Sequence, residues 1–350
     1  MKKAPLFALL LALAGSLFLL GAARKTLDIY FIDVEGGAAT LIVTPAGQSV
    51  LVDSGWKRED RRDALRIAKA VKAAGLTQID HVVTTHFHDD HFGGLAALSE
   101  LIPIRNFYDH GKVEGLKTDR RFVAMYPDYL KATGGRQKQL RPGDRIALDS
   151  KGKIPLALVC VSAGRETLAA GPKSEANRSC ADLAAQQDDP SDNAASVGLL
   201  LRYGAFDFLD LGDLTDAVMA KLVCPVNVLG QIDVYQVTHH GNRQSSLPQL
   251  GEGIQPTVAV INNGPKKGGH AEAFTMLKSI GSIQNIFQLH RNLETAEWDN
   301  TQPAWISNLG PEENCPGYGV RISVDEKAKF FTVINERPDS GLAPVRYRVR

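Results

Sequence analysis

The segment His86-Phe87-His88-Asp89-Asp90-His91 constrains this chain more than any other feature. It sets four metal-capable side chains, His86, His88, Asp90 and His91, within six residues. Imidazole nitrogen and carboxylate oxygen are the ligands zinc takes where no thiolate is offered. The segment follows a short apolar run, Asp80 to Thr85, that reads as a buried strand. It opens a helical pattern from His91 to Leu101 that stops before Pro103. In an extended loop His86 and His88 project to one side. Asp90 and His91, at the helix start, can turn back toward a second ion. Gly93-Gly94 then permits close backbone approach behind the cluster. The alternative, an Asp helix cap beside incidental surface histidines, accounts poorly for so dense a set.

Two later strand ends add distant ligands. Leu209-Asp210-Leu211-Gly212-Asp213 ends a strand with a carboxylate beside a glycine. Asp213 there can bridge two ions, which lie ~3.5–4 Å apart in two-metal sites; a helix cap for Thr215 to Leu222 is the alternative role. Thr238-His239-His240-Gly241 likewise ends an apolar strand. One of the two histidines is expected to bind metal and the other to pack or touch substrate, and the residues do not say which.

The remaining pattern implies layers. Strand signals run at Leu27 to Asp33, Thr40 to Thr44, Ser49 to Asp53, Arg105 to Tyr108, Ile154 to Ser162, Ser196 to Tyr203, Phe206 to Leu211, Asp233 to Thr238, Val258 to Asn262, Gly319 to Val324 and Lys329 to Asn335. Helical spacing appears at Arg58 to Ala74, stopping at Gly75, and at Ala271 to Ile280. Hairpins interleaved with single helices argue for an α/β fold of packed sheets with helices outside. Residues 163–193, rich in Ala, Asp, Ser and Pro, lack periodicity and read as a long surface insertion placed over the active site.

Residues 1–23 are set apart as a secretory signal peptide. Lys2 and Lys3 precede the apolar run Leu6 to Leu20, and Gly21-Ala22-Ala23 offers small residues at a cleavage site. An uncleaved N-terminal membrane anchor is the alternative. The expected product is a periplasmic or secreted protein, residues 24–350, forming one domain with no membrane attachment after cleavage. Removing two lysines and no acids takes Lys+Arg from 40 to 38 against 39 Asp+Glu, a net charge of −1. Such a balance gives no overall pull toward nucleic acid, although a local basic strip stays open. The four cysteines, Cys160, Cys180, Cys224 and Cys315, match no zinc-finger spacing. In an exported chain they fit one or two disulfides, with Cys160–Cys180 favoured because it would tie down a long loop; free buried thiols are the alternative. No P-loop, dinucleotide glycine motif or serine-hydrolase elbow is present.

In motif order, His86-x-His88-x-Asp90-His91, Gly212-Asp213 and Thr238-His239-His240-Gly241 resemble the metallo-β-lactamase superfamily, and Asp53-Ser54-Gly55 resembles its earlier Asp-x-Gly turn. With Asn193-x-x-Ser196 before a strand, the pattern is most similar to the ComEC-like branch, in which such a soluble domain accompanies a DNA-uptake channel. The resemblance spans roughly Leu27 to Gly264. It implies an αβ/βα four-layer sandwich of two mixed sheets with outer helices. It also implies a hydrolase using metal-activated hydroxide on two Zn2+ ions, with Mn2+ as the alternative. His86 and His88 are assigned to one ion and Asp90 and His91 to the other. Asp213 lies between the ions, with one of His239 and His240 as the late ligand. Asp90 also holds the nucleophile's proton, and Asp53 orients the ligand loop without binding metal.

The chain departs from the pattern at one point: residues 111–212 hold no histidine where many relatives place a further ligand. Asp192, Asn193 or Ser196 is expected near that place, with His110 a differently spaced candidate or a structural residue. The loop after Val258 to Asn262, with Asn263 and Lys266, is a candidate phosphate contact. His290 is a candidate of the same rank. Trp298 and Trp305 are read as packing residues. The expected substrate is a phosphodiester; a small lactam, lactone or ester, and a non-catalytic metal-binding domain, are the alternatives. Oligomeric state stays open.

Overall fold

The computed structural model describes residues 26–149, 152–172, 174–243, 246–312 and 315–350. The signal-peptide segment therefore lies outside the described residues. Two nine-stranded sheets dominate. The first runs, edge to edge, Val345–Arg348, Phe330–Asn335, Val320–Val324, Leu27–Phe31, Thr40–Val43, Ser49–Val52, Ile79–Val83, Ile104–Asp109 and Lys138–Gln139. The second runs Ile306–Asn308, Asn285–His290, Val258–Ile261, Val234–Gln236, Phe206–Asp210, Gly198–Tyr203, Leu156–Ala163 and Arg145–Ile146, with Glu166–Thr167 paired to Leu156–Ala163. Both are mixed: antiparallel hairpins pass into parallel ladders at Ser49–Val52 with Ile79–Val83 and at Phe206–Asp210 with Val234–Gln236.

Strand alternation explains the layering. Leu27, Ile29, Phe31, Val50 and Val52 point inward onto Leu199, Leu201, Phe208, Val234, Val258 and Val260, forming the core between the sheets. Their neighbours Tyr30, Leu41, Val43 and Leu51 face outward and are covered by helices Arg62–Ala73, Leu95–Leu101 and Arg120–Thr133. On the other side Leu209, Tyr235, Ala259 and Ile261 meet helices Asp216–Val223, Pro248–Ile254 and Ala271–Ser279. Three buried cores separate four layers, and this is the αβ/βα sandwich. Each buried Leu, Ile, Val or Phe contributes about 1.5–3 kcal/mol relative to exposure, so both faces of each sheet must be covered.

The helix Arg120–Thr133 has no counterpart among the elements read from sequence. Asp119 caps it through the N–H groups of Arg121 and Phe122, and Gly134 ends it in a left-handed conformation, while Pro127 obscures its interior. The run from His91 to Leu101 is two helices, Asp89–Phe92 and Leu95–Leu101, broken at Gly93-Gly94.

The disulfide joins Cys180 to Cys224, not Cys160. Cys160 is a buried free thiol whose strand lies inside the second sheet, so its side chain cannot reach the insertion. The bridge pins the insertion against the helix Asp216–Val223. Pairing of Glu175–Ala176 with Val226–Asn227, and a hydrogen bond from Asn177 Nδ2 to Gln249 O, hold it there too. The middle of the insertion thus packs on the outer helices, and only its end, Asp192–Ala195, enters the metal-capable cluster. Trp305 packs edge-on against Phe287 at 5.0 Å, as a packing residue should. Trp298 does not, being 77% exposed at the surface.

Candidate metal centre

The parallel ladders of both sheets deliver their carboxyl ends to one edge of the sandwich, where loops are free to carry polar groups. Asp53 follows Ser49–Val52, His86 follows Ile79–Val83, Asp213 follows Phe206–Asp210 and His239 follows Val234–Gln236. Among the described residues, Asp90, His91, Asp213 and His240 each offer one ligand atom, all within 4.8 Å of one another and all buried. His91 Nε2 lies 3.1 Å from Asp90 Oδ2, 3.3 Å from Asp213 Oδ2 and 3.2 Å from His240 Nε2. His240 Nε2 is 3.2 Å from Asp90 Oδ2 and 3.4 Å from Asp213 Oδ1.

The second half of the cluster shares Asp213. Its Oδ2 lies 3.5 Å from His239 Nε2 and 3.9 Å from His86 Nε2, and His86 Nε2 is 3.0 Å from His88 Nδ1. Asp213 therefore stands between His86, His88 and His239 on one side and Asp90, His91 and His240 on the other. Both histidines of the pair enter the cluster, where sequence reading expected one. His239 occupies the side on which residues 111–212 offer no histidine.

Left-handed backbone makes this convergence. His239 (φ 53°) and His240 (φ 54°) are consecutive non-glycine residues at positive φ, a strain of order 1–3 kcal/mol each that surrounding structure must hold. The Thr238 hydroxyl and N–H both meet Tyr235 Oη, at 2.6 and 3.0 Å, fixing the start of the turn. Gly268 makes the other side possible. A Cβ there would fall 2.2 Å from His240 O, the carbonyl that accepts from Gly269 N at 2.7 Å.

The ring partners set the chemistry. His91 Nδ1 is 2.6 Å from Asp53 Oδ2, and His240 Nδ1 is 3.2 Å from the backbone carbonyl of Asn262. A carbonyl and a carboxylate can only accept, so both Nδ1 atoms carry protons and both Nε2 lone pairs face the cluster. Asp53 does not touch the cluster's interior. It accepts from Thr85 N at 2.7 Å and Thr85 Oγ1 at 2.8 Å and orients His91. Burial alone would raise the carboxyl of Asp90, but His91 and Lys267 outweigh it and hold it well below the ordinary range. Asp213 is held low in the same way by His240 and His91. Burial would lower His91, yet Asp213, Asp90 and Asp53 lift it well above its usual value. The pocket thus draws positive charge to the spot between these groups. The donor set, the fixed tautomers and the local field all fit a divalent cation.

Close backbone approach supports the loop. A Cβ on Gly94 would lie 2.0 Å from Ser54 O, and one on Gly93 would lie 2.5 Å from Lys57 N. Ser54 N and Oγ both donate to His91 O, at 2.7 and 3.1 Å.

The other expected residues divide. Asn193 Nδ2 is 3.4 Å from His239 Nε2, and Ser196 Oγ accepts from Asp213 N at 3.3 Å, so both border the cluster. His110 takes the structural role: its Nδ1 accepts from Lys112 N, and its Nε2 lies 3.1 Å from Asp192 Oδ2, which also accepts from Phe87 N. Asn263 braces the loop by donating to Gly264 O and His290 O. Lys266 points to solvent, and the cation that reaches the cluster is its neighbour Lys267, hydrogen-bonded to Asp90 Oδ2 with its Nζ 4.9 Å from the Trp56 ring centroid. His290 is fully buried, its Nε2 2.8 Å from Asp33 Oδ1. Sequence reasoning missed Trp56 altogether, although it directly follows the Asp53-Ser54-Gly55 turn.

Residues 32–156 match the model of the metallo-β-lactamase superfamily. The chain is 24% identical over 248 residues to Recombination protein 2 of Haemophilus influenzae, covering 69% of this chain and 25% of that protein. It therefore spans about a quarter of the length of the curated relative it matches. Among solved structures, a diphosphatase of the PhnP family is similar at 14% identity and TM-score 0.42, covering 85% of this chain and 98% of that one. A diiron β-hydroxylase from Streptomyces venezuelae is similar at 14% identity and TM-score 0.39, covering 75% of this chain and 48% of its own. A subclass B3 metallo-β-lactamase from a soil metagenome library is similar at 14% identity and TM-score 0.38, covering 67% and 86%.

Proposed function

We propose that this chain is a metallohydrolase of the metallo-β-lactamase superfamily, whose model its residues 32–156 match, and that it cleaves a phosphodiester. The observation that carries this is Lys267, a cation held on Asp90 at the mouth of the cluster, where an anionic oxygen of substrate would need a partner. The name of the curated relative, Recombination protein 2, supports a nucleic-acid substrate. The near-neutral net charge supports a short one over a long polymer.

In this reading Asp90, His91, Asp213 and His240 would hold one ion, and His86, His88 and His239, beside Asp213, would hold a second. A divalent ion bound there would supply Lewis acidity and lower the pKa of water toward ~7. The ligand set is all nitrogen and oxygen, which suits Zn2+ and also Mn2+. The chain's own groups do the rest. Asp90, its carboxyl kept ionised by His91 and Lys267, would orient the attacking water by accepting a hydrogen bond from it. Lys267 Nζ, once substrate arrives, transfers from Asp90 to a phosphoryl oxygen, and Trp56 beneath it limits where the chain can swing. Asn193, whose Oδ1 is buried without a hydrogen-bond partner among the described residues, is placed to accept from substrate.

Export through a cleaved signal peptide belongs to the same proposal. The Cys180–Cys224 disulfide supports an oxidising compartment. No helix among the described residues is long and apolar enough to cross a membrane.

The test is an assay of zinc- or manganese-loaded protein on bis-p-nitrophenyl phosphate, single-stranded DNA, nitrocefin and a lactone. Turnover of the phosphodiesters is expected, falling about 10- to 100-fold in Lys267→Met, the loss of a charge-assisted contact worth about 1.5–3 kcal/mol. Nitrocefin or lactone turnover without phosphodiester activity overturns the substrate. Full activity in His88→Ala overturns the site.

A further inference from the structure

Asp33, Glu35, His290 and Cys315 form a second group of metal-capable side chains, each offering one ligand atom within 4.8 Å of the others. They come from three places. Asp33 and Glu35 follow Leu27–Phe31 in the first sheet, and His290 ends Asn285–His290 in the second. Cys315 lies in the loop before Val320–Val324. Asp33 and His290 are fully buried and Glu35 is 5% exposed, while Cys315 is half-buried and leaves a path from solvent.

The contacts inside this group are those of a site with one partner too few. Arg66 binds the outer oxygens, Nη1 donating to Asp33 Oδ2 at 2.8 Å and Nη2 to Glu35 Oε1 at 3.0 Å. Asp33 Oδ1 faces His290 Nε2 at 2.8 Å, and Glu35 Oε2 is buried with no hydrogen-bond partner among the described residues. Asp33 Oδ1 also accepts from Glu35 N at 3.0 Å, so the unanswered oxygen is that of Glu35. Cys315 Sγ lies 3.3 Å from Asp33 Oδ2 and 3.8 Å from His290 Nε2. A buried, unpaired carboxylate oxygen costs the folded state unless something positive answers it.

Local charge points the same way. Arg62 and Arg66 serve three buried carboxylates: Asp33, Glu35 and Asp63. Glu312, at the surface, meets both Arg62 and Arg58, at 2.9 and 3.2 Å, so with Arg66 these three arginines face four carboxylates. The interior is one positive charge short, and two short with Cys315 as thiolate, which is the charge of one divalent ion. One imidazole, one thiolate and two carboxylates make four ligands of the kinds that zinc takes.

We propose that Asp33, Glu35, His290 and Cys315 bind a structural transition-metal ion, distinct from the catalytic cluster. The ion pins the start of the first sheet to a strand end of the second. It also braces the Glu35-Gly36-Gly37 loop behind the catalytic centre, where Asp90 O accepts from Ala38 N at 3.1 Å and would lie 2.6 Å from a Cβ on Gly37. Binding releases one proton, from the thiol, and involves no change of oxidation state. The proposal stands without the phosphodiester reading.

Cobalt substitution tests it, because the catalytic cluster has no sulfur ligand and Cys315 does. Cobalt-loaded protein should show an intense thiolate-to-cobalt charge-transfer band in the near ultraviolet. The band should vanish in Cys315→Ser and fall in His290→Gln, with circular dichroism confirming that both remain folded. In His88→Ala it should persist while metal at the catalytic cluster drops. Elemental analysis should show one ion fewer per chain in Cys315→Ser than in the parent. A charge-transfer band that survives Cys315→Ser, or cobalt loading with visible d–d bands but no charge-transfer band, overturns the site.

Discussion

Replacing Asp53 with Asn tests how the fold prepares His91. The carboxylate receives three donors: Thr85 N at 2.7 Å, Thr85 Oγ1 at 2.8 Å and His91 Nδ1 at 2.6 Å. Asparagine fits the space and tolerates the positive φ of 62° that Asp53 adopts, so the backbone need not move. With its carbonyl kept on Thr85 N, the amide NH2 takes the place of the oxygen that Thr85 Oγ1 and His91 Nδ1 share, and so faces His91 Nδ1. Two donors then face each other, and the ring answers by moving its proton to Nε2, the atom that faces Asp90 and Asp213. The lone pair offered to metal is lost, although every ligand side chain is still present. Changes to groups that orient metal-ligating histidines cost about 10- to 100-fold in metal affinity or activity, which is about 1.4–2.7 kcal/mol. The expected result is a fall of that size in zinc affinity by competition with a chromophoric chelator. The fall in kcat/KM should be similar, and the far-ultraviolet circular dichroism unchanged. A folded Asp53→Asn protein with parental zinc affinity would refute the reasoning, since His91 Nε2 would then not depend on Asp53 for its tautomer.

Other expectations rest on independent parts of the molecule. Gly94→Ala should lower stability by at least about 1–3 kcal/mol in a urea melt. Gly94 sits at φ −78°, so the cost is contact with Ser54 O alone, and a neutral result would show that the Ser54 turn can retreat. Reducing the Cys180–Cys224 bridge, which spans 44 residues, should lower the urea midpoint by the equivalent of up to about 4 kcal/mol. An unchanged midpoint would mean that the insertion is held by its other contacts. Burial raises the carboxyl of Asp207 to about 7, with nearby Asp233 adding to the rise and Arg202 opposing it. The folded state then holds a proton the unfolded state has lost, so this group's contribution weakens as pH climbs from about 4 through about 7. Asp207→Asn should therefore gain stability on the parent at pH 8 and little at pH 4, and melts giving the same difference at both pH values would contradict this.

Much of the metal-capable cluster was legible in the chain because its parts are local. His86, His88, Asp90 and His91 share one loop, and strand-ending motifs marked Asp213 and the His239-His240 pair. The strands were legible for a related reason: alternation such as Leu27 to Phe31 records which face meets which core. The helix Arg120–Thr133 was not, since Pro127 interrupts its pattern and its cap, Asp119, is an ordinary surface residue. Lys266 was named where Lys267 reaches Asp90, because adjacent residues on a loop point in directions that the packing of Gly264, Gly268 and Trp56 decides.

The sequence by itself therefore determined the chemistry on offer: which donors exist, in what order, and at which strand ends they sit. Side-chain type and short-range periodicity are local properties, and they survive in one dimension. The tertiary structure decided which donors meet. That both His239 and His240 face Asp213 depends on two left-handed residues held by Tyr235 and admitted by Gly268. That Cys180 finds Cys224, and that Asp33 and Glu35 find His290 and Cys315, depends on the register of two sheets stacked across a common core. Those pairings join residues from 44 to more than 250 positions apart. No local pattern encodes the distance between atoms brought together only when the layers close.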